Sequence, residues 1–397
     1  MKPELQSLIK EIEKQFGVGV LSPASSLKPR TYRGSGSIAL DVALGGGWGR
    51  STIVDVIGRQ SSGKTLLFEM AAVEAQRVED KDSALYDFEG TFDPKRFAAL
   101  GGDLDRLFLV RAENFGVDVG PMFLEWAADM LKLQLRSNLL ACIGMDSTAA
   151  MVCKAEYDIK EDKGEEAATM AYTARGMASL LRQVVGSGLV QRSDTTLFFV
   201  SQMRDNIGGR GFKGQPPADK RTGGRALPFF AASQVEVIRG DIFKADVATD
   251  AGYIEKNMEV GHETKVRVRK NKNNAKQGRV CSFDVYSEGE VIGIDRVAEL
   301  AKLAVATGLI KRSGSWYEWT DPDQNVYRVQ GMDALCDEMS LLDIQSNYML
   351  SRTRSALDLQ LTATALKPEI LYGEEAPEDP DEEMMRLLDE RARAQSE

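Results

Sequence analysis

Gly58-Arg59-Gln60-Ser61-Ser62-Gly63-Lys64-Thr65 has the pattern G-x-x-x-x-G-K-[ST], and it directly follows an apolar run at 52–57. A turn of this composition between a buried strand and a helix suits a polyphosphate. Glycines stand where a side chain would collide with the ligand or where φ is unusual. Successive N–H groups, together with the N-terminus of the helix expected over 65–75, supply partial positive charge. Lys64 adds a full charge at the β and γ phosphates, and the Thr65 hydroxyl is placed to ligate Mg²⁺.

Further strand-like runs end in chemistry. Residues 139–145 lead into Asp146-Ser147, and Asp146 is expected beside the Mg²⁺ in the Walker B role; a turn-capping aspartate is the plainer alternative. Tyr86-Asp87-Phe88-Glu89 closes another run, and Glu89 is expected to polarise the attacking water. His262 is the only histidine, which nearly excludes histidine-based triads, bases and metal sites and leaves the base to a carboxylate.

A third run, 197–200, ends in Ser201-Gln202 and passes Arg204 into residues 205–225, where six glycines alternate with Arg210, Lys213, Lys220 and Arg221. Such a loop has too little apolar surface to fold alone. Tethered to a strand that faces the γ-phosphate, it could bind a polyanion and report nucleotide state; the alternative is a solvated surface loop. Residues 265–272 alternate valine with lysine and arginine, which predicts a strand with one buried face and one basic face, or else an exposed edge strand.

Six strand candidates (52–57, 84–88, 107–110, 139–145, 195–200 and 235–238) alternate with helical stretches, and several are continuous apolar runs. The fold class is therefore α/β, a mostly parallel sheet covered on both faces, with ligands beyond the carboxyl ends of the strands. Residues 3–16 form an amphipathic helix before a Pro/Ser/Gly linker, so that helix either reaches a neighbouring subunit or packs on its own domain. The domain boundaries expected are 1–33 for this helix and linker, 34–290 for the core, 291–370 for a small α+β domain and 371–397 for an acidic tail.

A chain of 397 residues, 43% apolar, can bury a large core. The expectation is a cytoplasmic protein with no membrane partner, because no apolar run reaches the ~20 residues needed to span a bilayer and no signal peptide is evident. Cys142, Cys153, Cys281 and Cys336 lack metal or redox spacing and are expected to be reduced, mostly buried thiols. Of the net charge of −10, residues 374–397 carry −7, from ten acidic and three basic residues. The tail could compete with a nucleic acid for the basic loop, which leaves such a partner compatible with the acidic total.

Together these features resemble the RecA family of DNA recombinases. The similarity covers about residues 11–319 and includes Ile12-Glu13-Lys14-Gln15-Phe16-Gly17, Gly36-Ser37-Ile38-Ala39-Leu40-Asp41, Asp146-Ser147-Thr148-Ala149-Ala150, Thr222-Gly223-Gly224 and Lys270-Asn271-Lys272. The resemblance implies a RecA-type core with an N-terminal polymerisation helix and a small C-terminal α+β domain. It also implies an ATPase using ATP and Mg²⁺, which polymerises as a helical filament on single-stranded DNA and exchanges strands with homologous duplex DNA. By resemblance, Glu89 is the catalytic glutamate and Gln202 senses the γ-phosphate. Asp93 and Tyr286 fall on adenine contacts, and Phe229 falls on a subunit-interface position. Lys270 and Lys272 fall on lysines that reach a neighbour's ATP. The resemblance implies DNA contacts from two loops, a first at 154–175 and a second at 205–225. Met170 and Ile207 fall on apolar wedges that separate bases, and Arg175 and Arg182 match basic contact positions. Arg210, Lys213, Arg221, Gly223 and Gly224 stand in the second loop, and Arg204 flanks it. Arg96 departs from the pattern, standing where bacterial members carry an adenine-stacking tyrosine. A guanidinium can also stack. A ring-forming motor of the same fold would share the phosphate loop and Asp146 but would not need the N-terminal helix or paired wedges.

Overall fold

The computed structural model describes residues 3–115, 122–157, 169–204, 220–221, 226–248, 254–273, 277–288, 292–321, 324–341 and 352–357. The chain divides into two compact units, 1–31 and 32–397. In the first, helix α1 (Pro3–Phe16) has the amphipathic pattern expected, and Leu5, Leu8 and Phe16 are exposed.

The second unit opens with a short antiparallel pair, β1 (Tyr32–Arg33) and β2 (Trp48–Gly49). Among the described residues its main sheet has nine strands. They are β3 (Thr52–Gly58), β4 (Asp82–Asp87), β5 (Leu107–Val110), β6 (Leu140–Asp146), β7 (Thr196–Arg204), β8 (Lys220–Arg221), β9 (Ser233–Ala248), β10 (Ile254–Asn271) and β11 (Val280–Tyr286). Their order is β11-β10-β9-β3-β7-β6-β4-β5, with β8 attached to β7. From β9 to β5 the neighbours are parallel, whereas β10 and β11 extend the sheet antiparallel.

Strand β3 sits between β7 and β9, and all of its residues are buried. Val54 and Val56 pack with Leu67 and Phe68 of helix α3 (Lys64–Glu79) and with Leu40 and Leu44 of helix α2 (Ile38–Leu44). Ile53 packs on the other face with Leu131 of α5 (Leu124–Ser137), Leu181 of α6 (Thr169–Gly186) and Val190 of α7 (Leu189–Arg192). Burial on both faces is why these strands read as continuous apolar runs.

Two differences from the sequence reading have physical causes. Strand β10 is interior, paired with both β9 and β11, so it is not an edge strand. Its Val266 and Val268 are buried and its Lys265, Arg267 and Arg269 exposed, as the alternation predicts. Strand β9 runs well past residue 238 and forms a long ribbon with β10. Residues 239–247 of that ribbon are exposed or half-buried, so no one-sided hydrophobic pattern marks them.

The C-terminal part holds helices α9 (Arg296–Ala306) and α10 (Met332–Leu341) beside the sheet β12 (Lys311–Ser313), β13 (Trp316–Thr320) and β14 (Val326–Gln330). Leu300, Ala304, Tyr317, Trp319 and Leu335 form its core together with Ile38 of α2. Buried Glu299 accepts hydrogen bonds from Ser37 Oγ (2.7 Å), Ile38 N (2.9 Å) and Ala39 N (3.1 Å), satisfying donors at the start of α2. No described helix is long and apolar enough to cross a membrane.

Candidate nucleotide site and DNA-facing loops

The phosphate loop leaves the carboxyl end of β3 and enters α3. A Cβ on Gly58 would lie 2.5 Å from the Val237 carbonyl oxygen and 2.6 Å from Ser62 Oγ, so the close approach of β9 requires glycine there. Gly63 caps α3 at φ +91°, in the left-handed region. Ser62 Oγ is buried and has no hydrogen-bond partner among the described residues, and as a donor it suits a phosphate oxygen. Lys64 Nζ donates to the Arg59 carbonyl at 2.6 Å. Burial lowers the pKa of this ammonium, while Asp146 and Glu89 favour its charge.

Asp146 ends β6 and accepts a hydrogen bond from Thr65 Oγ1. Burial lifts its pKa to about 6, with Glu89 and Asp87 adding to the rise and Thr65 and Lys64 opposing it. Glu89 follows β4; its Oε1 accepts from Ser147 Oγ and, at 2.8 Å, from Gln202 Nε2. In the parallel pairing of β3 with β7, Gln202 lies opposite Gly58, so the strand register itself brings this amide to the phosphate loop. A hydroxyl and one carboxylate in contact are hard oxygen ligands that suit Mg²⁺, which takes few protein ligands and keeps its waters. Among the described residues no cluster of three or more His, Cys, Asp or Glu offers a fuller metal cage.

These groups line one cavity of about 740 Å³. It joins Gln60, Ser61, Ser62, Gly63, Lys64 and Thr65 to Glu89, Asp93, Arg96, Asp146, Gln202 and Tyr286. Asp93 caps α4 (Pro94–Ala99), accepting from Lys95 N and Arg96 N. The Arg96 fork is held by the fully buried carboxylate of Glu69, at 2.6 and 3.0 Å. The pairing engages Nε and Nη2, so a guanidinium pinned this way can still stack through its plane or donate from Nη1. Arg239, Glu259 and His262, at the base of the β9–β10 ribbon, also line the cavity, which the sequence reading missed because the ribbon was too short there.

Lys270 and Lys272 lie away from these cavity-lining residues. Lys270 Nζ donates to the Pro228 carbonyl and Lys272 Nζ to the Phe229 carbonyl (3.3 Å), at the end of α8 (Ala226–Phe230). Phe229 is 73% exposed, and the Lys272 ammonium stands 5.9 Å from its ring centre. The basic face of β10 is partly neutralised, Lys265 by Glu263 and Arg269 by Glu236.

Arg175 and Arg182 are both exposed on α6, two turns apart, with Arg175 over the Tyr172 ring. The backbone of Met170 belongs to the same helix. Arg204 pairs with Lys220 and Met203 with Arg221, so β7 and β8 bring the two ends of the second loop together. Ile207, Arg210, Lys213, Gly223 and Gly224 lie outside the described residues, as does the acidic tail.

A strand–loop–helix cradle with a carboxylate at the end of β6 and a glutamate beyond β4 defines a phosphate-loop ATPase. Residues 3–291 match the family described as RecA N-terminal domain. The chain is 31% identical over 360 residues to Protein RecA of Mycoplasma mycoides subsp. mycoides SC, covering 89% of this chain and 93% of that one. It is 35% identical over 365 residues to Protein RecA of Bacillus cereus, covering 90% and 96%. With Protein RecA of Ruminococcus albus the identity is 35% over 325 residues, covering 81% and 73%. The chain belongs to the RecA family, and its activity is that of an ATP-dependent recombination and repair protein with DNA-dependent ATPase activity.

Proposed function

We propose that the cavity hydrolyses ATP as the Mg²⁺ complex and couples that step to a filament on single-stranded DNA. Lys64, Ser62 and the loop N–H groups hold the β and γ phosphates, while Tyr286 and Asp93 contact the base. Thr65 and Asp146 hold the metal, which when bound neutralises phosphate charge. Glu89 accepts the proton of the attacking water. Gln202 shares the Glu89 carboxylate, so a γ-phosphate that draws the amide away both frees this base and shifts the strand that leads into the second loop. Single-stranded DNA is held by Arg175 and Arg182 from α6 and by Arg204, Arg210, Lys213, Arg221, Gly223 and Gly224, with Met170 and Ile207 as wedges between bases. The exposed apolar side chains of α1 and of Phe229 suit burial against neighbouring copies, whose ATP Lys270 and Lys272 approach. A second copy bound through different surfaces repeats without closing and gives a helix.

The contact that carries this reading is Gln202 Nε2 to Glu89 Oε1, because it joins the hydrolytic base to the strand that feeds the second loop. Glu89→Gln should retain ATP-dependent filament assembly and slow hydrolysis by about 10²–10⁴-fold, the usual scale for losing a general base. Single-turnover hydrolysis on single-stranded DNA is the measurement, and an unchanged rate would remove Glu89 from the role.

A further inference from the structure

Asp55 is an acid in the middle of β3, a strand buried along its whole length, and it is 0% exposed. A carboxylate there is costly unless it is fully bonded. Gln234 Nε2 donates to its Oδ2 at 2.6 Å, and Ser201 Oγ donates to its Oδ1 at 3.2 Å. Ser201 Oγ in turn accepts from Thr148 Oγ1 at 3.3 Å. The two ends of this chain are telling. Ser201 and Thr148 each stand next in sequence to a residue that bonds Glu89, namely Gln202 and Ser147. Gln234 is paired across β9 with Asp55 on one side and with Lys270 on the other.

A register shift between Val268 and Lys270 sets Lys270 on this rung. A β-bulge re-aims the side chains that follow it. Without the shift, Lys270 would fall on the face of Val266 and Val268; with it, the ammonium lies under α8, on the Asp55 side of the sheet. Burial and the neighbouring Lys272 both disfavour the Lys270 charge, and Asp55 is the acid that favours it.

We infer that Asp55 is a positioning residue that holds, through one buried carboxylate, both the Gln202–Glu89 pair of its own nucleotide site and the Lys270 ammonium that faces a neighbour's. The inference rests on the proposed roles of Gln202, Glu89 and Lys270. Its physical content is that Lys270, Gln234 and Asp55 lie opposite one another across β10, β9 and β3, and that a diagonal hydrogen bond from Ser201 of β7 carries the contact on to the neighbour of Gln202. Neutralising that carboxylate loosens both ends while leaving the phosphate loop intact.

The test uses the full chain on single-stranded DNA. Asp55→Asn keeps the shape and removes the charge. It should lower kcat for ATP about tenfold, on the scale of losing a charge-assisted contact, with KM and the affinity of the lone chain for a fluorescent ATP analogue within about threefold. A merely structural role would move melting temperature, affinity and kcat together. Gln234→Met, which breaks the chain without touching the acid, should give a smaller fall in kcat and decides the matter if Asp55→Asn does not fold. Asp55→Asn should cost less in a Lys270→Ala background than in wild type, yet still slow turnover, because only the Gln202–Glu89 end is then left to lose. Wild-type kcat in the folded Asp55 or Gln234 variant overturns the inference.

The underlying reading has its own control, in which Lys270→Ala/Lys272→Ala chains are mixed with Lys64→Ala chains. Lysines that act across the interface restore activity at about a quarter of the interfaces of a random equal mixture. If no activity returns, the neighbour-facing role fails. If activity returns but Asp55→Asn turns over normally, only the inference fails.

Discussion

Lys64 and Lys270 invite comparison, because each ammonium leans on a backbone carbonyl, Arg59 for the first and Pro228 for the second. Burial lowers the pKa of both. Their surroundings differ. Beside Lys64 stand Asp146 and Glu89, so its charge is countered within its own site. Beside Lys270 stands Lys272, and the acid that favours its charge, Asp55, bonds to the next strand over; its pKa falls to about 8. A cation matched by neighbouring acids has its counter-charge within its own chain. Two crowded ammonium groups next to an exposed Phe229 hold surplus charge, which becomes favourable when an anion arrives from outside.

The sharpest way to break this contrast is affinity. Lys64→Ala should weaken binding of a fluorescent ATP analogue to the lone chain by about 100-fold, the scale of a charge-assisted hydrogen bond of ~2–3 kcal/mol. Lys270→Ala should change it by less than about threefold. Equal losses would erase the distinction. The surplus-charge reading extends to the second loop. Alanine at Arg210, Lys213 and Arg221 should make the slope of log affinity for single-stranded DNA against log salt shallower by about 2, since ~0.7 counterions are released per phosphate contact. An unchanged slope would count against direct phosphate contact.

An internal anion could also occupy the surplus charge. Removing residues 374–397 takes away a net −7 and should let strand exchange proceed at lower Mg²⁺, with thermal stability unchanged. Superimposable Mg²⁺ curves for the two proteins would rule out that competition. The smallest effect is on pH. Lys270 titrates near pH 8 when folded against an ordinary 10.5, so the folded chain binds fewer protons than the unfolded chain between those values. Stability from this group therefore rises with pH across that window and is lowest below it. Lys270→Met should remove the rise, measured as denaturant midpoints from pH 7 to 10.

Much of the nucleotide site was legible because its residues stand at the ends of apolar strands, where local pattern and motif coincide. Asp146, Glu89 and Gln202 lie 56 to 113 residues apart in the sequence, yet parallel strand ends converge by construction. The clamp of Arg96 on Glu69 was not legible, since Glu69 lies inside an ordinary helical stretch and its burial depends on tertiary packing. Ser147 was quoted within a motif without a role; only the geometry shows its hydroxyl on Glu89. Asp55 did carry a signal, a lone acid inside an otherwise apolar strand, but its partners depend on the register of β9 and β7. Register between parallel strands is set by long-range packing and has no local mark.

The position of β3 between β7 and β9 has a consequence for how the protein is made. The central strand is synthesised first among those of the main sheet, while its two neighbours begin at Thr196 and Ser233. At ~5–20 residues per second, about 9–35 s separate the emergence of Gly58 from that of Ser233. Until Thr196 emerges β3 has no flanking strand on either edge, and through the whole interval the turn at Gly58 lacks the Val237 carbonyl against which it closes. ATP therefore cannot rescue an early folding intermediate of the nascent chain. Protection of the apolar β3 segment before its neighbours arrive has to come from outside the nucleotide site, and ligand stabilisation begins only once β9 has paired with β3.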